Sequence, residues 1–211
     1  VEIRPLRQMT GQAEFNEIYL TDARVSEADR MGDVGDGWRV ALTTLMNERV
    51  AIGGGTRDAG KSAMDWILEA WNDHGHDDPA RHDEMMKLWV RSEVLRLNNL
   101  RAEETLTTGT PGPEGSIGKV ISAEFNKDAF AFALGLTGMA GTLFDGGYDL
   151  DQTRPALDYD TLAEYFLRVR ANSIEGGTTE VMRNILGERV LGLPGDVRVD
   201  KDVAWKDVAR S

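Results

Sequence analysis

The chain contains no cysteine among its 211 residues, and this absence removes several classes of function. Without cysteine there can be no disulfide, no thiolate metal ligand and no cysteine nucleophile. A cysteine-free composition fits a reducing compartment, and we expect a cytoplasmic protein. Only three histidines occur, and the pair His74 and His76 could touch a metal ion. Solvated loop histidines are the commoner case, so we predict no metal site.

Positive charge is scarce, since 24 Lys and Arg face 36 Asp and Glu for a net charge of -12. A surface of this sign disfavours a nucleic-acid backbone and an anionic membrane surface. The longest apolar run, residues 129–141, falls short of the roughly 20 residues that span a bilayer. We therefore predict neither a nucleic-acid partner nor a membrane segment. Hydrophobic residues make up 41% of the chain, enough to build a core.

The first part of the chain is typical of β-structure, and the remainder is typical of helices. Residues 1–6 and 14–20 read as strands with a turn at Thr10-Gly11, and DVGDG at 33–37 ends this part. No signal segment precedes it, and Val1 stands in mid-pattern, so we expect the C-terminal portion of a longer protein.

Apolar residues at three- and four-residue spacing then predict four or five amphipathic helices. We expect them over residues 38–70 with an interruption at 53–55, and over 79–107, 116–136, 159–170 and 180–190. Short connections favour an antiparallel helix bundle, a mainly α fold that follows the two predicted strands.

A glycine-rich turn before the last helix is the strongest local signal in the chain. Glu175 stands immediately before Gly176-Gly177, and Thr178 follows them. Such a turn can simply cap a helix, or it can present unpaired N–H groups and the positive helix end to a polar ligand. The pattern alone leaves both readings open.

A second carboxylate, Glu48, shares a helical face with apolar neighbours in the first helix and precedes Arg49. Burial of a carboxylate raises its pKa and makes it a better base near neutral pH. Glu48 could equally be a solvated residue at the edge of the helix.

Three blocks of sequence resemble the flavin-dependent acyl-CoA dehydrogenases. They are FNEIYL at 15–20 with DVGDGW at 33–38, the helix 38–54 around Glu48-Arg49, and SIEGGTTEVMR at 173–183. The resemblance implies a mainly α fold, an antiparallel four-helix bundle preceded by the last strands of a β-domain. The predicted domains are then 1–35 for the end of the β-domain, 36–194 for the helical bundle and 195–211 for a tail. The resemblance also implies an enzyme of lipid and fatty-acid metabolism. Its reaction removes the α proton of an acyl-CoA thioester and passes a hydride from the β carbon to FAD. It further implies an electron-transferring flavoprotein as partner and a homo- or hetero-oligomer built as a dimer of dimers.

The resemblance also implies roles for individual residues. In most of the family the base is the glutamate of a Tyr-Glu-Gly-Thr turn, where this chain has Gly176. A branch resembling isovaleryl-CoA dehydrogenase takes its base from a helical Glu-Arg pair, which Glu48-Arg49 matches. Glu48 is therefore the first choice for the base and Glu175 the second. The other roles fall to Arg49 and Gly176 for substrate, and to Gly138, Gly177, Thr178 and Glu180 for cofactor.

One departure from the family pattern favours a different reading. The motif Arg-x-x-Phe-Gly, expected after the first long helix, is absent from WNDHGHDDPAR at 71–81. A non-catalytic subunit of a mixed tetramer is therefore the alternative function. An oxidase acting on the same substrates is a third.

Overall fold

The structure is a computed structural model that describes residues 1–53, 61–74, 78–108, 115–143, 159, 161–195 and 203–208. For residues 46–53, 105–108, 115 and 205 it describes the backbone alone.

The chain opens with an antiparallel hairpin of β1 (Glu2–Leu6) and β2 (Phe15–Tyr19), in which Glu2 lies opposite Tyr19. Every residue of both strands is exposed. The loop that connects them is less exposed to solvent, and its residues Thr10 and Gln12 are buried. A two-stranded hairpin is marginal by itself, so this loop is what attaches the hairpin to the rest of the molecule.

Six α-helices follow among the described residues. They are α1 (Gly37–Gly53), α2 (Ala63–His74), α3 (Pro79–Thr108), α4 (Gly115–Leu136), α5 (Leu162–Arg168) and α6 (Thr179–Ile185). Short 3-10 segments cover Glu27–Asp29, Gly138–Thr142, Val169–Ser173 and Trp205–Asp207, and a π-helical turn covers Leu186–Val190.

Helix α4 is the centre of the bundle, and α1, α2, α3, α5 and α6 all pack against it. Small residues on α4, Ala129 and Ala133, are fully buried and allow α2 to approach closely. The main core cluster consists of Ile67, Ala70, Met85, Leu88, Phe125, Ala129, Ala133 and Leu136.

Helix α3 is apolar on two opposite faces. Met85 and Leu88 are buried in the core. Met86, Val90 and Leu97 follow one another along the opposite face and are exposed, with Val90 at 52% and Leu97 at 56%. A helix that is apolar on both sides suits burial on both sides.

The predicted helix boundaries hold best where a start signal is strong. Asp78 accepts a hydrogen bond from the Ala80 N–H at 2.9 Å, and Pro79 begins α3 as predicted. The fourth predicted helix starts later than expected, at Leu162, because Thr161 forms the cap and Glu164 completes a reciprocal capping box.

The apolar spacing that predicts the last helix does not mark its buried side. Val181 and Val190 are exposed, whereas Thr179 and Met182 are the buried residues. Met182 is held under the preceding turn, and this turn decides which side of the short helix faces inward.

Among the residues that the structure describes, no helix is both long and apolar enough to cross a membrane. The domain boundaries at 35 and 194 stay predictions.

Candidate active site

The glycine turn reverses the chain between the 3-10 segment Val169–Ser173 and helix α6. Gly176 has a φ of 64° and Gly177 a φ of 98°, both in the left-handed region that glycine adopts without strain. Thr178 then caps α6, because its side chain accepts a hydrogen bond from the Val181 N–H at 3.2 Å. The structure therefore shows that this segment caps a helix, as one of the two interpretations of the sequence predicts.

An added side chain at Gly177 would also meet a neighbour. A Cβ at Gly177 would lie 2.5 Å from Cε of Met182, the far end of a fully buried side chain, which would have to shift. The left-handed φ therefore favours glycine at position 177, and a substitution would also displace the end of Met182.

The turn leaves backbone donors available for a ligand. Within the described part of the chain, no group accepts a hydrogen bond from the N–H of Gly176 or Gly177. Both amides lie next to the N-terminus of α6, whose first N–H groups carry a partial positive charge. The turn can thus cap the helix and still offer donors to a polar or anionic group.

Glu175 is held by two neighbouring side chains. Arg168 donates from Nη1 to Oε1 at 3.0 Å and from Nη2 to Oε2 at 2.9 Å, a bidentate ion pair. Asn172 Nδ2 donates to Oε1 at 2.7 Å. Burial would raise the pKa of Glu175, but the bonds from Arg168 and Asn172 outweigh it and hold this pKa below its ordinary value. The carboxylate is therefore kept ionised.

Arg168 meets a second carboxylate on its other side. Its Nε lies 3.2 Å from Oε2 of Glu14, an ion-pair distance without the alignment of a hydrogen bond. The hydroxyl of Tyr159 donates to Oε1 of Glu14, and burial together with this bond raises the pKa of Tyr159. One guanidinium thus links the segment before β2 to the turn before α6.

A buried amine, that of Lys119, lies on the first turns of α4, and the charge of Glu175 affects its pKa. Lys119 is 6% exposed, and within the described residues its Nζ has no hydrogen-bond partner. Burial lowers the pKa of Lys119, and the opposing pull of Glu175, Glu124 and Glu180 does not cancel that effect. The negative charges of these three carboxylates act on Lys119, which disfavours a role as an anion-binding site.

Glu124 ties α4 to the start of α6. It accepts a hydrogen bond from the Thr179 hydroxyl at 3.3 Å and pairs with Lys127 at 2.9 Å. The bond with Lys127, more than the other contacts, lowers the pKa of Glu124. The N-terminus of α6 is therefore fixed from α4 as well as from α5.

The structure brings some of the predicted site residues together and separates others. Glu175, Gly176, Gly177 and Thr178 form one continuous turn, and Glu180 is exposed in the first turn of α6. Gly138 begins the 3-10 segment beyond the other end of α4, about 25 Å along the helix axis from Lys119 at 1.5 Å per residue.

The first choice for the base, Glu48, lies within α1 together with Arg49. The side chains of both residues fall outside the described part of the structure. His74 occupies the last turn of α2, and His76 is likewise outside the described residues.

Sequence reasoning did not find Arg168, Lys119, Asn172 or Glu14. The seven-residue separation of Arg168 and Glu175 places them on opposite sides of a 3-10 segment, and Glu14 is 154 positions from Arg168. A lysine on the core-facing side of a helix was the one available signal, because lysine is almost never buried without a reason.

A cavity of about 520 Å³ opens between α3 and α4, away from the turn. Its floor is apolar, with Leu88, Phe132 and Leu136. The charged side chains on its rim include Arg91 and Asp128, which pair with each other at 2.6 Å. None of the predicted site residues lines it.

Comparison with known proteins gives this architecture a context. Residues 35–191 match the sequence profile of a family described as acyl-CoA dehydrogenase, C-terminal domain. The chain is 33% identical over 199 residues to the acyl-CoA dehydrogenase IpdE1 of Mycolicibacterium smegmatis, covering 94% of this chain and 47% of that protein. It is 34% identical over 195 residues to the acyl-CoA dehydrogenase FadE34 of Mycobacterium tuberculosis, covering 92% and 25%. The chain therefore spans half or less of the length of these relatives.

Solved structures show the same fold. A steroid ACAD described as Tcur3481-Tcur3483 superposes with a TM-score of 0.72 at 20% identity, over 92% of this chain and 49% of that chain. The ChsE4-ChsE5 complex from Mycobacterium tuberculosis gives a TM-score of 0.68 at 23% identity, over 92% and 50%. The predicted fold class is confirmed by these matches, and so is the predicted resemblance by the family match.

Proposed function

We propose that this chain, which belongs to the acyl-CoA dehydrogenase family, forms the C-terminal helical part of an FAD-dependent enzyme that oxidises acyl-CoA thioesters to 2,3-enoyl-CoA. The observation that supports this proposal most directly is the glycine turn before α6, where the N–H groups of Gly176 and Gly177 have no acceptor among the described residues. In the proposed reaction the enzyme takes the α proton, and the electron pair of that C–H bond forms the new double bond. FAD, when bound, accepts the hydride that leaves the β carbon.

Glu48 is the base in this proposal. The alternative base, Glu175, has both carboxylate oxygens engaged by Arg168 and one of them also by Asn172. A lowered pKa and two occupied oxygens make Glu175 a weak acceptor for a carbon-bound proton. This argument leaves Glu48, in the helical Glu-Arg pair, as the stronger candidate.

The turn would hold the cofactor and the thioester through its backbone. The N–H groups of Gly176 and Gly177 suit the carbonyl and ring-nitrogen acceptors of a flavin or the oxygen of a thioester. We assign substrate contacts to Arg49 and Gly176, and cofactor contacts to Gly177, Thr178, Glu180 and Gly138. Because Gly138 lies at the far end of α4, it would touch a different part of the cofactor or a second bound molecule.

The proposed partners are an acyl-CoA substrate, an electron-transferring flavoprotein and further subunits in a dimer of dimers, in the cytoplasm. The exposed apolar face of α3, through Val90 and Leu97, is a suitable surface for another subunit.

The test compares variants of the protein expressed at its full natural length, with FAD and a panel of straight-chain, branched and steroid-derived acyl-CoA substrates. We expect Glu48→Gln to lower turnover by roughly a thousandfold with FAD still bound, since a positioned base contributes about 10²–10⁴. Glu17→Gln, an exposed glutamate on β2, is the control and should keep full activity. Full activity in Glu48→Gln together with lost activity in Glu175→Gln would reverse the assignment.

The second candidate function is a non-catalytic subunit of a mixed assembly. The missing Arg-x-x-Phe-Gly motif in residues 71–81 favours it. A colourless purified protein that is inactive alone, but gives an active assembly when a second family member is added, would establish this function. A yellow protein that bleaches with acyl-CoA under anaerobic conditions would exclude it.

A further inference from the structure

The contacts of Arg168 and Asn172 together join four separate parts of the chain. Arg168 ends α5 and binds Glu175 at the start of the glycine turn. It also faces Glu14, which precedes β2. Asn172 extends the cluster, because it donates to Glu175 and accepts a hydrogen bond from Asn126 of α4 at 3.1 Å.

Burial makes these contacts stronger than a surface ion pair. The side chain of Arg168 is 16% exposed and that of Glu14 is 7% exposed, so water screens their attraction poorly. Removing one partner of such a pair leaves the other charge buried and uncompensated, which costs more than the pair itself contributes. Lys119 adds a second positive charge that acts on Glu175.

The contacts of the cluster act on the position of the turn, and none of them reaches a reacting atom. Glu175 is the residue immediately before Gly176 and Gly177. Both glycines have left-handed φ values here, but glycine can adopt many other backbone conformations as well. A glycine pair supplies freedom, so something else must fix the direction in which its N–H groups point. The bidentate bond from Arg168 to Glu175 anchors one side of the pair, and the Thr178 cap anchors the other.

We propose that Arg168 is a positioning residue, which fixes the Gly176-Gly177 turn by clamping Glu175 against Glu14 and so presents the two backbone N–H groups in one orientation. The identity of the group that accepts hydrogen bonds from these N–H groups rests on the proposed function. The clamp itself does not. Arg168 acts through Glu175 and touches no reacting atom.

The test measures the turn directly and ligand binding separately, in the protein at its full natural length. Amide hydrogen exchange at residues 174, 175, 181 and 182 reports on the turn, because these N–H groups bond to Ala171 or Thr178 on either side of the glycines. The variants are Arg168→Gln, Arg168→Lys and Glu175→Gln. Arg91→Gln is the matched control, since it breaks a long-range arginine–carboxylate pair elsewhere in the bundle.

We expect Arg168→Gln and Glu175→Gln to speed exchange at these four amides by roughly tenfold to a hundredfold, the range expected for losing charged hydrogen bonds. Exchange in α2 and α3 should not change. Arg168→Lys keeps the charge but loses the bidentate fork, and should restore protection in part. FAD affinity, followed by fluorescence titration, should fall in the same order, and kcat should fall more than KM rises.

Unchanged exchange at these amides in Arg168→Lys and Glu175→Gln would overturn the clamp, even if Arg168→Gln does not fold. Faster exchange spread evenly over all helices would also overturn it, because that result marks a general loss of stability. If the wild-type protein binds no FAD and oxidises no acyl-CoA, the proposed function fails. The exchange measurement still decides on the clamp in that case, because it uses no ligand.

Discussion

Glu175 and Lys119 carry opposite charges, and folding lowers the pKa of both, with opposite consequences for stability. For an acid, a lowered pKa means that the folded state prefers the charged form. For a base, it means that the folded state disfavours the charged form. One residue therefore stabilises the fold at neutral pH and the other strains it.

Replacing Glu175 should lower the stability of the fold by an amount that depends on pH. The stability that its carboxylate provides is fully present above the pKa of about 4.3 that an unfolded glutamate has, and it is lost as the pH falls through the lower folded-state pKa. We expect Glu175→Gln to unfold at a lower temperature than the wild type at pH 7, with the gap closing below pH 4. Thermal melts across pH 3–8 measure it. A gap that does not depend on pH would contradict a role for the ionised carboxylate.

Replacing Lys119 should act in the other direction. The destabilisation from its buried charge is fully present below its lowered folded-state pKa and disappears as the pH rises through the unfolded value of about 10.4. Lys119→Met, which keeps the length and removes the charge, should raise the melting temperature at pH 7 by a few degrees. The gain should shrink towards pH 10. Lys87→Met, an exposed lysine paired with Asp83, is the control. A lower melting temperature in Lys119→Met would mean that the neighbouring carboxylates need this cation.

The residue scale is also where sequence reasoning reached its limit. Glu175 and the glycines were found because they are consecutive, and a local pattern displays them. Arg168 was not found, because its two carboxylates are brought to it only by tertiary packing. Whether Glu48 is the base stays a prediction.

At the scale of elements, the conformation of the turn and the packing of α6 depend on Gly177. Alanine at a left-handed position costs about 1–2 kcal/mol, and a forced contact in a packed core adds about 1–3 kcal/mol. Gly35 and Gly177 have nearly equal φ values of 97° and 98°, but only Gly177 meets a neighbour within 4 Å. Gly177→Ala should therefore destabilise the fold by about 2–5 kcal/mol and Gly35→Ala by about 1–2 kcal/mol, measured by denaturant unfolding. Equal losses would show that Met182 moves aside.

The long helices were predictable because their signals are strong and repeated. Pro79 after a capping aspartate marks the start of α3, and regular apolar spacing carries α4 to Leu136. The short helices were harder. Seven-residue helices such as α5 and α6 contain less than one full repeat of an apolar stripe, so caps and neighbouring turns decide their bounds and inward faces.

At the scale of the whole molecule, the outer face of α3 is an apolar surface that the bundle leaves unpacked. Val90 and Leu97 lie near its centre, and both are more than half exposed. If another subunit covers this face, Val90→Asp with Leu97→Asp should convert the assembly into smaller species in size-exclusion chromatography with light scattering. Asn72→Asp, an exposed substitution on α2, should leave the assembly intact. An unchanged mass in the double variant would place the interface elsewhere.

The two apolar faces of α3 have a thermodynamic consequence as well. Folding buries the core face. If another subunit covers the outer face, that face is buried only by association, and the free energy of the helix is divided between two equilibria. Mass action then makes the apparent stability rise with protein concentration, as it does for any native state that binds a partner and whose unfolded state does not. The melting temperature of this protein would then be a function of how much of it is present, and dilution alone would weaken the bundle.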